Sequence, residues 1–244
     1  MVHKIYLYSF LSAFIVYANC FSGPPFLTDD PQPVDLYHFE FYLSSQNAFV
    51  SHAGGGTLPH FEMNYGVISN MQLHVVVPMG YYYESHKFHY GISDVEIGIK
   101  YRFVDEGESK PQIGVFPLIE IPTGNADRGL GNGKLQAYIP LWFQKSWGDW
   151  TSYGGAGYWY NPGEGNKNWM YAGWLLQKKI SDQFTCGGEV YYHSSRTDES
   201  SPAIGFNIGG SIDFSEQNHI IFSAGHTFSG ENSLTAYVGF LLTI

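Results

Sequence analysis

The fold is decided by Ile92-Ser93-Asp94-Val95-Glu96-Ile97-Gly98-Ile99-Lys100-Tyr101-Arg102-Phe103. Val95, Ile97, Ile99, Tyr101 and Phe103 alternate with Asp94, Glu96, Gly98, Lys100 and Arg102. A period of two is what an extended strand turns into one apolar and one charged face. Two later segments repeat it. From Ala203 to Phe214, the residues Ile204, Phe206, Ile208, Ile212 and Phe214 oppose Gly205, Asn207, Gly209, Ser211 and Asp213. From Ser233 to Ile244, Leu234, Ala236, Val238, Phe240, Leu242 and Ile244 oppose Thr235, Tyr237, Gly239 and Thr243.

Read outward from these, the chain from Tyr37 onward divides into twelve such segments, at 37–47, 58–67, 70–82, 92–103, 111–121, 134–146, 150–160, 168–180, 184–194, 203–214, 218–228 and 233–244. Short turns at Ile68-Ser69, Gly148-Asp149, Ser181-Asp182-Gln183 and Ser215-Glu216 alternate with longer links at 48–57, 83–91, 122–133, 161–167 and 195–202. An even strand number with tight turns at one end and loops at the other describes an all-β, transmembrane, antiparallel up-and-down β-barrel of about 12 strands, with short periplasmic turns and longer extracellular loops. Strands of about eleven residues, rising ~3.3 Å each and tilted ~40°, span roughly the apolar band of such barrels. Aromatic residues crowd the strand ends, at Tyr81-Tyr82-Tyr83, Trp147, Trp150, Trp159-Tyr160, Trp169, Tyr171 and Tyr191-Tyr192, and are expected to form headgroup-level girdles. The rival fold is a secreted soluble barrel or sandwich with the aliphatic face turned inward; alternation alone does not orient the faces, but long strands and few charges favour the membrane.

Composition agrees. The 244 residues are 44% hydrophobic, 18% aromatic and only 14% charged, with 29 Gly and a net charge of −10. No basic cluster exists to neutralise phosphates, so nucleic acid is not an expected partner. An apolar run from Ile5 to Ala18 after Lys4 matches a signal-peptide core and is too short to span a bilayer as a helix. Residues 1–20 are expected to be that signal peptide, with Ala18-Asn19-Cys20 as the cleavage site. Cys20 could instead be lipidated, or retained and bridged to Cys186; spacing leaves all three open. The Pro-rich stretch 21–36 cannot join a ladder and reads either as a periplasmic leader or as a plug folded into the lumen. Residues 37–244 form the barrel domain.

The stretch Gly23-Pro24-Pro25-Phe26-Leu27-Thr28-Asp29-Asp30-Pro31-Gln32-Pro33-Val34, leading into His38-Phe39-Glu40-Phe41-Tyr42, resembles the opening of outer-membrane proteins related to the meta-pathway phenol-degradation family. The likeness extends through Ile121-Pro122-Thr123-Gly124 and the alternating final segment. It implies a barrel channel or transporter in the bacterial outer membrane, and it implies location and architecture more than cargo. Barrel proteins of this kind commonly end on Phe, where this chain has Ile244.

Motifs of catalysis are sparse. There is no phosphate loop, dinucleotide fingerprint, HExxH or CxxC, and Gly54-Gly55-Gly56 falls in an expected loop with no following lysine. His86 and His89 share a loop while His52, His60, His74, His193, His219 and His226 are scattered, so no metal and no cofactor is expected. For a membrane-embedded hydrolase the best pair is His226 with Ser211, but parity puts them on opposite faces. No catalytic residue is assigned.

The inward face carries the remaining signal. Asp94, Glu96, Lys100, Arg102, Glu120 and Lys134 are expected to line the lumen, with Asp94 near Glu120 and Glu120 near Lys134 or Gln136. They form either an ion-pair network that hydrates the wall or a polar constriction that favours cations. Tyr138, Trp142, Tyr191 and Tyr237 are expected on the same face, as filler or as an aromatic track for ring-bearing solutes. The reading is a passive outer-membrane channel for small solutes, aromatic or hydrophobic ones included. Its expected partners are outer-membrane lipid, the solute and the barrel-assembly machinery. The alternatives are a phospholipase-like barrel hydrolase and a closed structural or adhesive barrel.

Overall fold

The structure is a computed structural model that describes residues 24–50, 53–84, 87–230 and 232–244. Residues 1–20, expected as a signal peptide, and with them Cys20, lie outside the described residues; Cys186 is in no disulfide among those described. Strand segments run in the order β1 Phe39–Val50, β2 Ala53–Ile68, β3 Met71–Glu84, β4 Lys87–Ile92, β5 Val95–Val104, β6 Gln112–Val115, β7 Leu118–Ile121, β8 Gln136–Trp147, β9 Trp150–Tyr160, β10 Trp169–Ser181, β11 Phe184–His193, β12 Ala203–Asp213, β13 Asn218–Ser229 and β14 Leu234–Thr243. Every strand pairing is antiparallel, and apart from two broken strands each joins chain neighbours until the ends of the chain meet. β1 pairs with β14, from Glu40 opposite Thr243 to Phe49 opposite Leu234, and this closes the sheet.

Two strands are broken. β4 continues into β5 across Ser93-Asp94, and both lie against β3. β6 continues into β7 across Phe116-Pro117, and both lie between β5 and β8. The wall is therefore a twelve-stranded closed barrel built from fourteen segments. Its register places Phe116 opposite Pro140 and Pro117 opposite Ile139, because Val115 faces Leu141 and Leu118 faces Tyr138. Neither proline has an N–H to give, so the ladder is thinnest at this seam.

The aliphatic side faces outward. Ile97, Ile99 and Phe103 on β5, Ile139 on β8 and Ile208 on β12 are all exposed, the last two by about two thirds of their surface. Their alternates are covered: Lys100, Tyr138, Trp142, Asn207 and His219 are buried. With the polar side enclosed and the apolar side bare, the orientation is that of a membrane barrel and not of a soluble sandwich. The tight turns after β2, β8, β10 and β12 lie at the same end as both barrel termini, where Phe39 and Ile244 exchange two backbone hydrogen bonds of 2.8 Å.

Two expected loops are strand. Residues 48–57 and 83–91 contain the upper parts of β1 to β4, paired almost to their tips, with Ala53 opposite Val50 and Lys87 opposite Glu84. Gly54-Gly55-Gly56 thus belongs to β2 and pairs with Tyr81-Tyr82-Tyr83 on β3. A Cβ on Gly56 would lie 2.0 Å from the carbonyl oxygen of Gln46, so the run is there to let neighbouring strands approach, not to bend a loop.

Inside, bulky rings lie over wall positions with no side chain. A Cβ on Gly155 would meet the Trp142 ring at 2.8 Å and the Leu141 carbonyl oxygen at 2.0 Å. One on Gly157 would meet Tyr138 at 2.4 Å, and one on Gly205 would meet Tyr191 at 2.5 Å. Gly155→Val is expected to destabilise the barrel by about 1–3 kcal/mol through this overpacking. Gly188→Ala, whose nearest contact is an ordinary 3.4 Å, serves as the tolerated control. The check is the temperature at which the compact, unboiled form is lost on a detergent gel, which should fall only for the first variant.

Candidate functional site

The lumen is crossed by the chain's own leader. Residues 24–36 run inside the barrel, and their bonds go to inward-facing side chains. The buried Glu189 accepts hydrogen bonds from the backbone N–H groups of Leu27 and Thr28 at 2.9 and 2.8 Å, and from Asn207 Nδ2 at 2.6 Å. Ser223 Oγ donates to the Pro25 carbonyl at 2.6 Å, and the Val34 N–H donates to Gln72 Oε1 at 2.9 Å. Lys100 Nζ lies 2.9 Å from Asp29 and 3.6 Å from Asp30. Phe26 packs with Tyr153 and Leu175. Leu36 bridges to Gly66, where a Cβ would stand 2.1 Å from the Asp35 carbonyl, and Tyr37 turns the chain into the wall at φ 64. Such a φ is strained for a residue with a Cβ and marks a forced corner. We call residues 24–36 the strap.

Each residue expected to line the lumen can now be placed. Lys100 and Arg102 hold the strap: Arg102 Nη1 donates to Gln32 Oε1 at 2.5 Å, and Arg102 Nε pairs with Asp105 at 3.0 Å. Glu96 lies 2.7 Å from His74 Nε2, whose Nδ1 lies 2.7 Å from Asn64 and 3.6 Å from Glu62. Glu120 faces Glu96 on β5 and Gln136 on β8. Asp94 sits in the break between β4 and β5 and ties down the outer loop 122–135, accepting from the N–H groups of Gly124 at 2.9 Å and Asn132 at 2.7 Å. Leu130 of that loop is buried, and its carbonyl accepts from Ser93 Oγ at 2.6 Å. Lys134 is exposed in the same loop, ahead of β8. Asp94 therefore anchors a loop, whereas Glu96, Lys100 and Arg102 form networks on the wall.

Among the aromatic residues, Tyr138, Trp142 and Tyr191 come together with Phe116, Leu118 and Tyr171 in one buried cluster. Tyr237 belongs to a second, with Tyr42, Ile221 and Leu241. Of the rings expected in the lipid girdles, Trp159, Trp169 and Tyr171 face inward, as does Tyr191, which parity also expects in the lumen, while Trp147, Trp150, Tyr160 and Tyr192 are exposed. Trp159 pairs across strands with both Tyr138 and Trp169, so counting parity from Tyr138 would have found it. The three rings form a stack, with centroids 4.7 and 5.3 Å apart, and the Arg196 guanidinium caps it 4.4 Å from the Trp169 ring.

Two cavities adjoin the lumen wall. One, of about 870 Å³, opens below the strap among Asp29, Gln32, Glu40, Glu62, Arg102 and Gln144. The other, of about 600 Å³, is an apolar groove on the lipid face at the Pro117 seam, lined by Met63, Leu73, Val75, Ile97 and Ile119. It reaches His74 and Leu118, whose side chains belong to the inner face. Ser211 and His226 do not meet: Ser211 is opposite Ile221 and His226 opposite Phe206, with one side chain inward and the other outward. Among the described residues, no group of three or more His, Cys, Asp or Glu can hold a metal ion.

Lys100→Met removes the ammonium beside Asp29 and the fully buried Asp30 and is expected to weaken strap docking by about 3–5 kcal/mol. Limited proteolysis of the folded, detergent-embedded protein checks this: cleavage between Phe26 and Val34 should appear in the variant and be absent from the parent.

The COG4313 outer membrane channel from Pseudomonas putida F1 superposes with a TM-score of 0.73 at 12% identity, over 88% of this chain and 98% of that one. The KdgM porin in complex with oligogalacturonate gives 0.58 at 10% identity, over 84% and 98%. The CymD monoaromatic hydrocarbon channel gives 0.50 at 8% identity, over 88% and 90%. At such identities these likenesses establish the fold alone, a closed antiparallel β-barrel of the outer-membrane type. No curated protein matches the sequence significantly. Residues 54–242 match the family described as "Putative MetA-pathway of phenol degradation", and the chain belongs to that family.

Proposed function

We propose that the protein is a passive outer-membrane channel for small, ring-bearing or otherwise largely apolar solutes, driven by the solute gradient and narrowed by its strap. The observation that carries this reading is the lumen itself. Its wall joins charged networks to a patch of aromatic rings, and its bore is filled by a segment held through side-chain contacts and not through a ladder. A closed structural barrel has no need of a removable filling, and a barrel lined by its own packed side chains would be the simpler design. The structural relatives support it by name, since they include a monoaromatic hydrocarbon channel and a porin.

Replacing residues 24–33 by an equally long Gly-Ser segment should raise single-channel conductance in a planar bilayer several-fold. Conductance equal to the parent's would show that the strap is not what limits passage, and zero conductance in both would favour the closed adhesive barrel.

The groove at the Pro117 seam favours a second route for apolar solutes, sideways from the hydrocarbon to the wall at His74. The wall is continuous there through the Ile99 N–H to Pro117 carbonyl bond of 3.0 Å, but Gly98 leaves its floor thin. A Cβ on Gly98 would lie 2.9 Å from the Phe116 ring and 3.1 Å from Leu118 Cβ. Gly98→Val should lower uptake of an apolar solute such as toluene into liposomes while leaving ion conductance unchanged; parallel losses in both would refute a separate route.

A further inference from the structure

We propose that the aromatic patch beneath the outer loops, bounded by Arg196 and by the Trp142 indole N–H, is a binding site for a hydroxylated aromatic carboxylate; this deepens the channel reading and rests on it. Three observations converge. The first is Arg196. Its backbone is pinned, donating to Ser200 Oγ at 2.9 Å and accepting from the Lys167 N–H at 2.9 Å and Asn161 Nδ2 at 3.2 Å. Its guanidinium carbon lies 4.4 Å from the centre of the Trp169 ring, which holds the side chain over the aromatic stack. Lys100, Arg102 and Lys145 are each paired with a carboxylate, but among the described residues Arg196 is in no ion pair. A guanidinium in no ion pair can receive a carboxylate through two parallel hydrogen bonds.

The second is Trp142. It is 2% exposed, and its Nε1–H finds no acceptor among the described residues. A buried donor without a partner is costly, and the deficit is removed by an oxygen brought in from outside. The third is what lies between. Tyr171 stands edge-on to Trp142 with centroids 6.3 Å apart and stacks with Tyr191 at 6.4 Å, and Trp169, under Arg196, packs against the same ring cluster. A plain hydrocarbon would fit the rings and leave both donors unmet. A sugar acid would satisfy the donors and lose the rings. An aromatic acid carrying an oxygen at the end remote from its carboxylate satisfies all three. Glu120 faces the lumen beside this patch, one strand from Tyr138, which disfavours a ligand with further negative charge.

The test uses the purified full chain in detergent and calorimetric titration with 4-hydroxycinnamate, with cinnamate, which lacks the hydroxyl, and with 4-hydroxycinnamamide, which lacks the charge. The parent should bind the hydroxy acid roughly tenfold more tightly than the amide and roughly fivefold more tightly than cinnamate. Arg196→Gln should erase the first preference and keep the second. Trp142→Phe should do the reverse. Gel mobility of the unboiled variants verifies folding, and if Arg196→Gln does not fold, Arg196→Lys should show a reduced preference for acid over amide. Equal binding of acid and amide by the parent, or an Arg196→Gln preference equal to the parent's, overturns the site. Bilayer current is recorded on the same preparation: current without binding refutes the site alone, and binding without current refutes the channel while the site stands.

Discussion

Hydrocarbon offers no partner to a peptide N–H or carbonyl, and the architecture of this protein follows from that constraint. A sheet can lie in lipid only if its first and last strands find each other, and here β1 and β14 do so over ten consecutive residue pairs. Closure fixes parity for every strand. Once it is made, each residue faces either tails or lumen, and the alternation of apolar and polar positions has a physical destination at every step. The polar side chains that would be expensive in lipid are gathered where they can serve one another, as in the chain from Asn64 through His74 to Glu96.

Closure at twelve strands also sets a narrow bore, and the remaining features respond to that narrowness. Trp142, Tyr138 and Tyr191 fit because Gly155, Gly157 and Gly205 yield the space beneath them. The strap fits on the same principle, with Thr28 pressed against Gly173 and Pro31 against Gly114. Its attachment differs in kind from that of the wall. The wall is held by a ladder that cannot be opened cheaply in lipid, whereas the strap is held by side chains: two carboxylates beside one ammonium, one carboxylate receiving two amides, a buried ring, and single hydrogen bonds with Ser223, Gln72 and Arg102. The segment that lies in the bore is thus attached by contacts that water and charge can compete for.

The strands were legible because a period of two survives any sequence divergence that keeps lipid outside and water inside. Residues 150–160 and the turn at Gly148-Asp149 could be read to the residue. Residues 48–57 and 83–91 could not, since above the membrane strand pairing continues without an apolar stripe to announce it, and glycine there reports close approach as readily as a turn. Lys100 and Arg102 were recognisable as inward, but not their partners, because Asp29 and Gln32 come from a segment whose path is independent of strand register. Asp94 illustrates a different limit. It obeys the alternation of its strand and yet serves a loop, because the chain breaks step at Ser93-Asp94. Trp159 and Trp169 were misdirected by their nearness to loops, where parity was the better guide.

The pairing of rings with bare backbone has an implication for how such a protein changes over generations. Calibre is set by couples such as Trp142 with Gly155 and Tyr191 with Gly205, in which one member supplies bulk and the other tolerates it. A second chain could exchange a couple for two residues of middling size and acquire a wider or differently contoured passage. Nothing on the membrane-facing surface would need to alter, so selectivity and anchoring can drift independently of each other.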